Sequence, residues 1–520
     1  MRSNVFKLSA VAATIAASFG AQAAVYKVYS YEPVASSSQT FGVAMETSND
    51  NCWAGTDCQL TQSSAHKMGI EEQRFAQGFS YRDEAPFFYE FGYELLEDDI
   101  DGFERYCSSF LGYVDAECDN WVLREYTNGY INEVNGDVEN VTAYVESTKI
   151  ESGQDNVVIN SVTPQIGTYY GGSLSKRTIA FSDTPLDIAG TAFTQSKAWE
   201  KAGAITVGSV SQPSSYSPER YFKSQAAIWN GSVLTAIPTE GREDKESMPQ
   251  GSARAITPDG RYAVGYNSTS DEVPLAAVFN LTDLTNIATK FVNTYSDDDV
   301  YLNSVLTSVN ENNIAIGTAK NRQNPDGVYA NILFYVSDIT ASSLTGNSFS
   351  GDIFFSNANG KAGAINNNNE VVGQVDFQRH RESDGVPRSK RAFITVIGDK
   401  SESLAPFKNS AYYLDDLTAG DTENNRFRVI DATDINDASV ISGTALYCAN
   451  GYDSEASNAL CDGGTPGAEK IVAVKLVPIE GSVASDIQPR ATESSKVERE
   501  GGSLGWFALG LLALLGFRRK

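Results

Sequence analysis

A chain of 520 residues holds roughly two to four average domains or one large repeat domain. With 66 acidic against 40 basic side chains and a formal net charge of -26, it argues against a nucleic-acid partner, because phosphate binding rests on clustered Lys and Arg. Such a surface is either a solvated acidic coat or one that coordinates cations.

The first segment, "MRSNVFKLSAVAATIAASFGAQAAVYKV", has a cationic start at Arg2 and Lys7, an apolar stretch from Leu8 to Phe19, and a small-residue cleavage site at Ala21-Gln22-Ala23. This is the pattern of a secretory signal peptide over residues 1–23, with Ala21 and Ala23 at the cleavage site. The mature chain is therefore expected outside the cytosol. The cysteines fit that compartment: Cys52, Cys58, Cys107, Cys118, Cys448 and Cys461 form three sequence-local pairs. Of about fifteen possible connectivities, proximity in an oxidising compartment favours 52 with 58, 107 with 118 and 448 with 461. A zinc site is the competing reading. It has little support, because C-x-x-C is absent and His66 and His380 stand apart from the pairs in sequence.

Residues 24–480 read as one repeat domain. A first weak copy is "SQTFGVAMETSND" (residues 38–50), after which residues 52–134 break the rhythm with two cysteine pairs, many aromatics and helical spacing at Phe103, Cys107, Phe110, Leu111 and Val114. We read this stretch as a partly helical, disulfide-stapled insertion from the first blade, which is either functional or a structural cap over one end of the ring. Further weak copies are "NSVTPQIGTYYGG" (160–172) and "GAITVGSVS" (203–211). Four strong ones follow: "ARAITPDGRYAVGY" (253–266), "LTSVNENNIAIGTA" (306–319), "AGAINNNNEVVGQV" (362–375) and "ATDINDASVISGTA" (432–445).

Each strong copy is a tight hairpin, with Asn, Asp and Gly in the turn and β-branched runs on either side, ending at Gly265, Gly317, Gly373 or Gly443. A second element, "AAIWN" (226–230), "AAVFN" (276–280), "NILFY" (331–335) or "RAFIT" (391–395), supplies another strand. Gly-to-Gly spacings of 52, 56 and 70 residues suit four-stranded blades with variable loops. The expected fold is all-β, a β-propeller of about seven blades, with a β-solenoid or paired sandwiches as alternatives. The late strand "KIVAVKLVPI" (470–479) is placed to complete a blade begun at the N-terminus.

Residues 481–500 form a polar linker, and residues 501–520, "GGSLGWFALGLLALLGFRRK", end the chain. Leu504 to Phe517 is a run of fourteen uncharged residues, shorter than the roughly 20 that span a bilayer comfortably. With Arg518, Arg519 and Lys520 behind it, the run forms a transmembrane stop-transfer element; the other reading is a terminal helix docked on the body. The order of Gly pair, Ser, apolar helix and terminal cations resembles the GlyGly-CTERM sorting signal of Gram-negative bacteria. That resemblance implies cleavage at Gly501-Gly502-Ser503 by a rhombosortase-type protease, then type II secretion to the cell surface. The repeats resemble the HAF extracellular repeats, with Arg391 of "RAFIT" where that family often has His. Signal, repeats and tail together are similar to the surface-protein family called domain of unknown function 3466, which implies no activity.

Catalytic motifs are sparse. There is no G-x-S-x-G, H-E-x-x-H, complete EF-hand loop or phosphate-binding G-x-x-x-x-G-K, and a Ser-His-Asp triad would have to use His66 or His380, neither in a recognisable context. Acidic clusters are the remaining candidates: Glu97, Asp98, Asp99 and Asp101; Asp297, Asp298 and Asp299; Asp415 and Asp416. "EDDIDG" could offer oxygens to calcium but lacks the distal Glu, and solvated loops explain all three clusters equally. The aromatics, including "REYTNGYINEVNG" (124–136), fit blade packing or sugar stacking.

The reading is an exported, non-enzymatic propeller of the cell envelope that binds a surface ligand or protein. It needs no cofactor, and it meets signal peptidase, the rhombosortase-type protease and the type II machinery on its way out. The alternative is a secreted carbohydrate-active hydrolase using paired carboxylates. An enzyme should gather acids and aromatics in one central cleft, whereas a scaffold should scatter them over loop tips.

Overall fold

The computed structural model describes residues 24–33, 38–55, 58, 66–74, 99–108, 115–136, 140–150, 154–173, 176–215, 222–241, 248–270, 273–382 and 387–493. The signal segment with Ala21 and Ala23, and the tail with Gly501, Gly502 and Ser503, lie outside the described residues. Among those described, no helix is long and apolar enough to cross a membrane.

Seven four-stranded antiparallel sheets form the molecule. Strand β1 (Tyr26–Tyr31) comes first in sequence but belongs to the last sheet. Blade 1 is β2 (Ser38–Met45), β3 (Met68–Arg74), β4 (Val141–Val145) and β5 (Thr148–Lys149); blade 2 is β6 (Val158–Ser161), β7 (Ile166–Tyr170), β8 (Thr178–Ser182) and β9 (Thr184–Pro185). Blade 3 is β10 (Gln195–Ala202), β11 (Ile205–Pro213), β12 (Phe222–Asn230) and β13 (Val233–Ile237). Blade 4 is β14 (Gly251–Ile256), β15 (Tyr262–Ser268), β16 (Pro274–Asn280) and β17 (Ala288–Phe291). Blade 5 is β18 (Tyr301–Val309), β19 (Ala315–Asn321), β20 (Asn331–Val336) and β21 (Asn347–Ser348). Blade 6 is β22 (Gly360–Ile365), β23 (Glu370–Asp376), β24 (Lys390–Val396) and β25 (Tyr412–Tyr413). Blade 7 is β26 (Phe427–Ile435), β27 (Ile441–Cys448), β28 (Glu469–Pro478) and, as its outermost strand, β1. Tyr26 pairs with Pro478 and Tyr31 with Ala473, so the two ends of the domain close the ring and cover what would be a free edge.

The repeat glycines have a geometric cause. All seven innermost strands carry a register shift at the same place, at Val43, Asn160, Trp199, Arg254, Thr307, Gly363 with Ala364, and Thr433. A bulge bends its strand and drives backbone toward the neighbour. A methyl group on Gly317 would meet Val305 O at 1.9 Å, and on Gly265 it would meet Ser252 O at 2.0 Å. In blades 2–7 a glycine takes this place opposite the bulge, whereas in blade 1 Ile70 stands there opposite Gly42.

The core lies between blades. Val372 and Ile394 of blade 6 pack with Val429, Ile441 and Val474 of blade 7, and Tyr26, Trp53 and Phe407 extend the same cluster. All three expected disulfides are present: Cys52–Cys58, Cys107–Cys118 and Cys448–Cys461.

The stretch 52–134 contains strand β3, so it leaves blade 1 as two excursions, not one. The first, between β2 and β3, carries Cys52–Cys58; the second, between β3 and β4, carries helices Asp99–Tyr106 and Asp115–Val122 joined by Cys107–Cys118. Because successive hairpin connections alternate between the ends of a blade, the two excursions lie on opposite faces of the ring. Strand β3, "MGIEEQR", escapes a pattern search because it buries Glu71 and Glu72 beside Met68 and Ile70. Residues 481–493 pack back onto blades 6 and 7: Arg490, with a fully buried side chain, donates from Nε to Asp415 O at 2.8 Å and from a guanidinium nitrogen to Glu455 Oε2 at 2.6 Å.

Candidate functional site

The hairpins joining each innermost strand to the next share one face. Asn310, Asn366 and Asn436 each follow the last residue of β18, β22 and β26. In each, Oδ1 accepts two backbone N–H groups of its own turn: Asn312 and Ile314, Asn368 and Glu370, or Ala438 and Val440. Each Nδ2 is thereby left to donate forward to the next blade, from Asn310 to Asn366 O, from Asn366 to Asn436 O, and from Asn436 to Glu46 O, all at 3.0 Å. This relay gives the Asn-rich turn a second purpose, since it ties neighbouring blades together through buried amides. Asn313, Asn369 and Ser439 take left-handed backbone in the turn tips.

A cleft of about 320 Å³ opens on this face. Asn49, Asp50, Asn51 and Trp53 from the first excursion form one wall; Glu311, Asn367, Asn368 and Asp437 from the turns, with Leu404, form the other. Asn367 donates from Nδ2 to Asp437 Oδ2 at 2.8 Å and accepts Glu311 N at 2.9 Å, which fixes the turn side. The wall is pinned by Trp53, whose Nε1 donates to Ser439 Oγ at 3.0 Å and whose ring packs edge-on against Tyr26 and Phe407. Beneath it, the fully buried Glu370 carboxylate accepts Ser439 Oγ at 2.6 Å, Ser403 Oγ at 2.7 Å and Asn366 Nδ2 at 2.9 Å. Burial pushes its pKa up against those three bonds.

His66 also lies beside this wall, so the distance in sequence that weighed against a histidine–cysteine zinc site does not hold for His66 in space. Its Nε2 is 3.7 Å from Cys52 Sγ and 3.7 Å from Asp50 Oδ2. His66 follows Cys58 by eight positions in sequence, too short a separation to keep the two apart in space. Cys52, Cys58 and His66 have ligand atoms within 4.8 Å of one another, as do Cys448, Cys461 and Asp462. In both groups the sulfurs are committed to a disulfide, so neither is a thiolate metal site.

A second set of groups faces the axis. Glu200, next to the Trp199 bulge, accepts Ile256 N of blade 4 at 2.9 Å, and Asp434, next to the Thr433 bulge, accepts Met45 N of blade 1 at 2.7 Å. Burial pushes Glu200 up to about 7, with Asp434 adding to the rise, and pushes Asp434 up to about 6. The Arg254 guanidinium stacks 3.5 Å over the Trp199 ring. Sequence inspection missed these residues because a bulge, which has no signature in residue type, turns them toward the axis.

The acidic clusters read from the sequence are scattered. Glu97 and Asp98 lie outside the described residues, and Asp101 is exposed on the second excursion. Asp297, Asp298 and Asp299 form an exposed turn before β18. Asp415 is buried, paired with Arg391 at 2.9 Å and accepting Val429 N at 2.7 Å, while Asp416 accepts Arg490 N at 2.8 Å. His380 is exposed in the loop between β23 and β24, on the face opposite His66.

Residues 204–520 match the family described as Protein of unknown function (DUF3466). The chain belongs to the DUF3466 family. The match begins at β11, so it takes in three strands of blade 3, all of blades 4–6 and the three strands β26–β28 of blade 7, whose fourth strand β1 lies outside it. No curated protein matches the DUF3466 chain in sequence. Solved structures similar to parts of it include TolB from Acinetobacter baumannii, at 11% identity over 61% of this chain and 64% of that one, with a TM-score of 0.27. The α-L-arabinofuranosidase PaAbf62A from Podospora anserina is similar at 10% identity over 56% of this chain and 93% of that one, TM-score 0.22. The β-propeller domain of the Trilobed protease from Pyrococcus furiosus is similar at 8% identity over 49% and 79%, TM-score 0.23. The matched part spans less than two thirds of the TolB chain.

Proposed function

We propose that this DUF3466 protein is an exported binding module of the Gram-negative cell envelope that takes a ligand rich in hydrogen-bond donors in the turn-face cleft. The observation that carries the reading is the lining: Asp50, Glu311 and Asp437 with four asparagines and, among the described residues, no basic one, mounted on turns bonded from blade to blade. A pre-formed concave site with convergent polar groups is the usual form of a small-ligand site. Export through the signal segment, processing at Gly501-Gly502-Ser503, a transient membrane anchor in the tail and delivery by type II secretion complete the proposal. The three disulfides support an oxidising destination. The test is titration of the protein with amino sugars, neutral oligosaccharides and polyamines, read by indole fluorescence. A response lost in Asn368→Ala supports the cleft; an unchanged response in that variant moves the site elsewhere.

The hydrolase alternative now rests on Glu200 and Asp434, two axis-facing carboxylates whose pKa values are raised to about 7 and about 6. Release of reducing ends from polysaccharide, abolished by Glu200→Gln and by Asp434→Asn, would favour it. If no release occurs, both acids are left as ties between blades.

A further inference from the structure

Blade 3 ends in an edge unlike those of the other blades. The outermost strands β5, β9, β21 and β25 are two residues long. Strand β17 is four residues long, and the chain of blade 5 runs beside it: Lys290 Nζ donates to Thr340 O and Ala341 O, and Val292 bridges to Leu344. On β1, Asn424 covers the edge, accepting Val28 N at 3.0 Å and donating to Tyr26 O at 2.8 Å. Strand β13, "VLTAI", is five residues long, and among the described residues no hydrogen bond reaches the outer side of its backbone. Proteins blunt sheet edges by shortness, cover or charge; β13 has none of the three.

The register shows which groups this edge offers. Gly231 N donates to Ala204 O, so β12 bonds β11 at Trp229 and Ala227 and turns the N–H and C=O of Asn230, Ile228 and Ala226 to β13. Their partners are Val233, Thr235 and Ile237. The N–H and C=O of Leu234 and Ala236 therefore point outward.

We propose that β13 is a docking edge for a second copy of this chain, paired antiparallel about a two-fold axis at Thr235 and joining two four-stranded blades into one sheet. In that register Leu234 of each copy faces Ala236 of the other, which completes every outward N–H and C=O of the strand. Val233 faces Ile237, a β-branched pair, and Thr235 faces itself. Moving the axis to Ala236 would set Leu234 opposite Pro238, which has no N–H. Charge selects this occupant. Copies of a chain with a net charge of -26 repel wherever acid meets acid, but Gly231 to Thr239 is a run of nine uncharged residues, so the edge meets its own image without that repulsion. Val233, 67% exposed, is the most exposed large apolar side chain among the described residues, and pairing covers it. Half-buried Leu186, Ile188 and Phe193 share a cluster with Leu234 and Ala236 and widen the apolar strip. This surface is independent of the cleft proposed above as the ligand site.

Sedimentation velocity of the full chain, loaded from about 1 to about 200 μM, reads the pairing. A joint this small should give a dimer with a dissociation constant on the order of ten micromolar. Ala236→Pro removes an outward N–H and no bond to β12, and Thr235→Lys sets two cations against each other at the axis. Each should weaken the dimer by about tenfold or more while the circular dichroism of the monomer is unchanged. Thr235→Cys, oxidised by diamide, which takes up the two thiol hydrogens, should give a covalent dimer, because residues facing each other in a non-hydrogen-bonded pair stand about 4.5 Å apart at Cα. Val233→Cys, which faces Ile237 instead of itself, should not. A monomer across the whole range overturns the proposal, and so does a dimer that both Ala236→Pro and Thr235→Lys leave intact, since it uses another surface. If the chain stays monomeric while a synthetic peptide of residues 231–239 slows exchange of the Leu234 and Ala236 amides, the edge takes a foreign strand and the second copy is excluded as its occupant. If Ala236→Pro does not fold, Thr235→Lys and the two cysteine variants decide.

Discussion

Gly317 faces Val305 O so closely that a methyl group would stand 1.9 Å from the oxygen, and the contact is with backbone that cannot step aside. Gly317→Ala is expected to cost about 3 kcal/mol, read as a lowered thermal midpoint with the β content unchanged below it. A midpoint within error of wild type would mean the bulge at Thr307 can shift. The glycine itself was visible in the sequence as the end of each repeat, because close backbone approach admits one residue type. Its partner in the geometry was not: Val43, Asn160, Trp199, Arg254 and Thr433 share a bulge position but no chemistry, so no pattern of letters reveals them.

At the level of the element, the Asn turn works because one amide serves two blades. Asn366→Asp keeps the acceptor for Asn368 N and Glu370 N but replaces the donor to Glu370 Oε2 and Asn436 O with a second acid. We expect a loss of about 2–4 kcal/mol at pH 8 that shrinks at pH 5, where a proton can bridge the two carboxyls; thermal midpoints at both pH values check the sign. Arg490 acts on another element. Arg490→Met should release residues 484–493 from blades 6 and 7, at a cost of about 3 kcal/mol, and proteolysis should then cut after residue 481 while the ring stays intact. Hairpins and their Ala-aromatic partner strands were legible in blades 3–6, where alternation and turn residues agree. Blade 1 was harder to read, because its second strand buries two glutamates and its loops carry cysteines and aromatics that mimic a separate insertion.

On the scale of the whole molecule, seven sheets depend on β1 pairing with β28, and the ring concentrates acids where water is scarce. Glu200 is raised to about 7, and Asp416 and Asp434 to about 6, each chiefly by burial. A carboxyl whose pKa is higher folded than unfolded holds its proton better in the native state. Its contribution to stability is therefore full below the unfolded value near 4 and is lost as pH rises through the folded value. His66 has the opposite sign: its folded pKa is depressed, so its contribution is present above about 6.5 and lost as pH falls through the folded value. The thermal midpoint should consequently fall from pH 5 to pH 8. Glu200→Gln, whose amide oxygen can still accept Ile256 N, should flatten the fall between about pH 4 and the folded value of about 7, and Asp434→Asn should flatten it between about pH 4 and about 6. If both variants keep the wild-type slope, the two carboxyls are hydrated through the axis, and the pH dependence belongs to the general repulsion of a chain with a net charge of -26. Added salt would then suppress that slope, whereas it would leave the effect of two dry carboxyls largely in place.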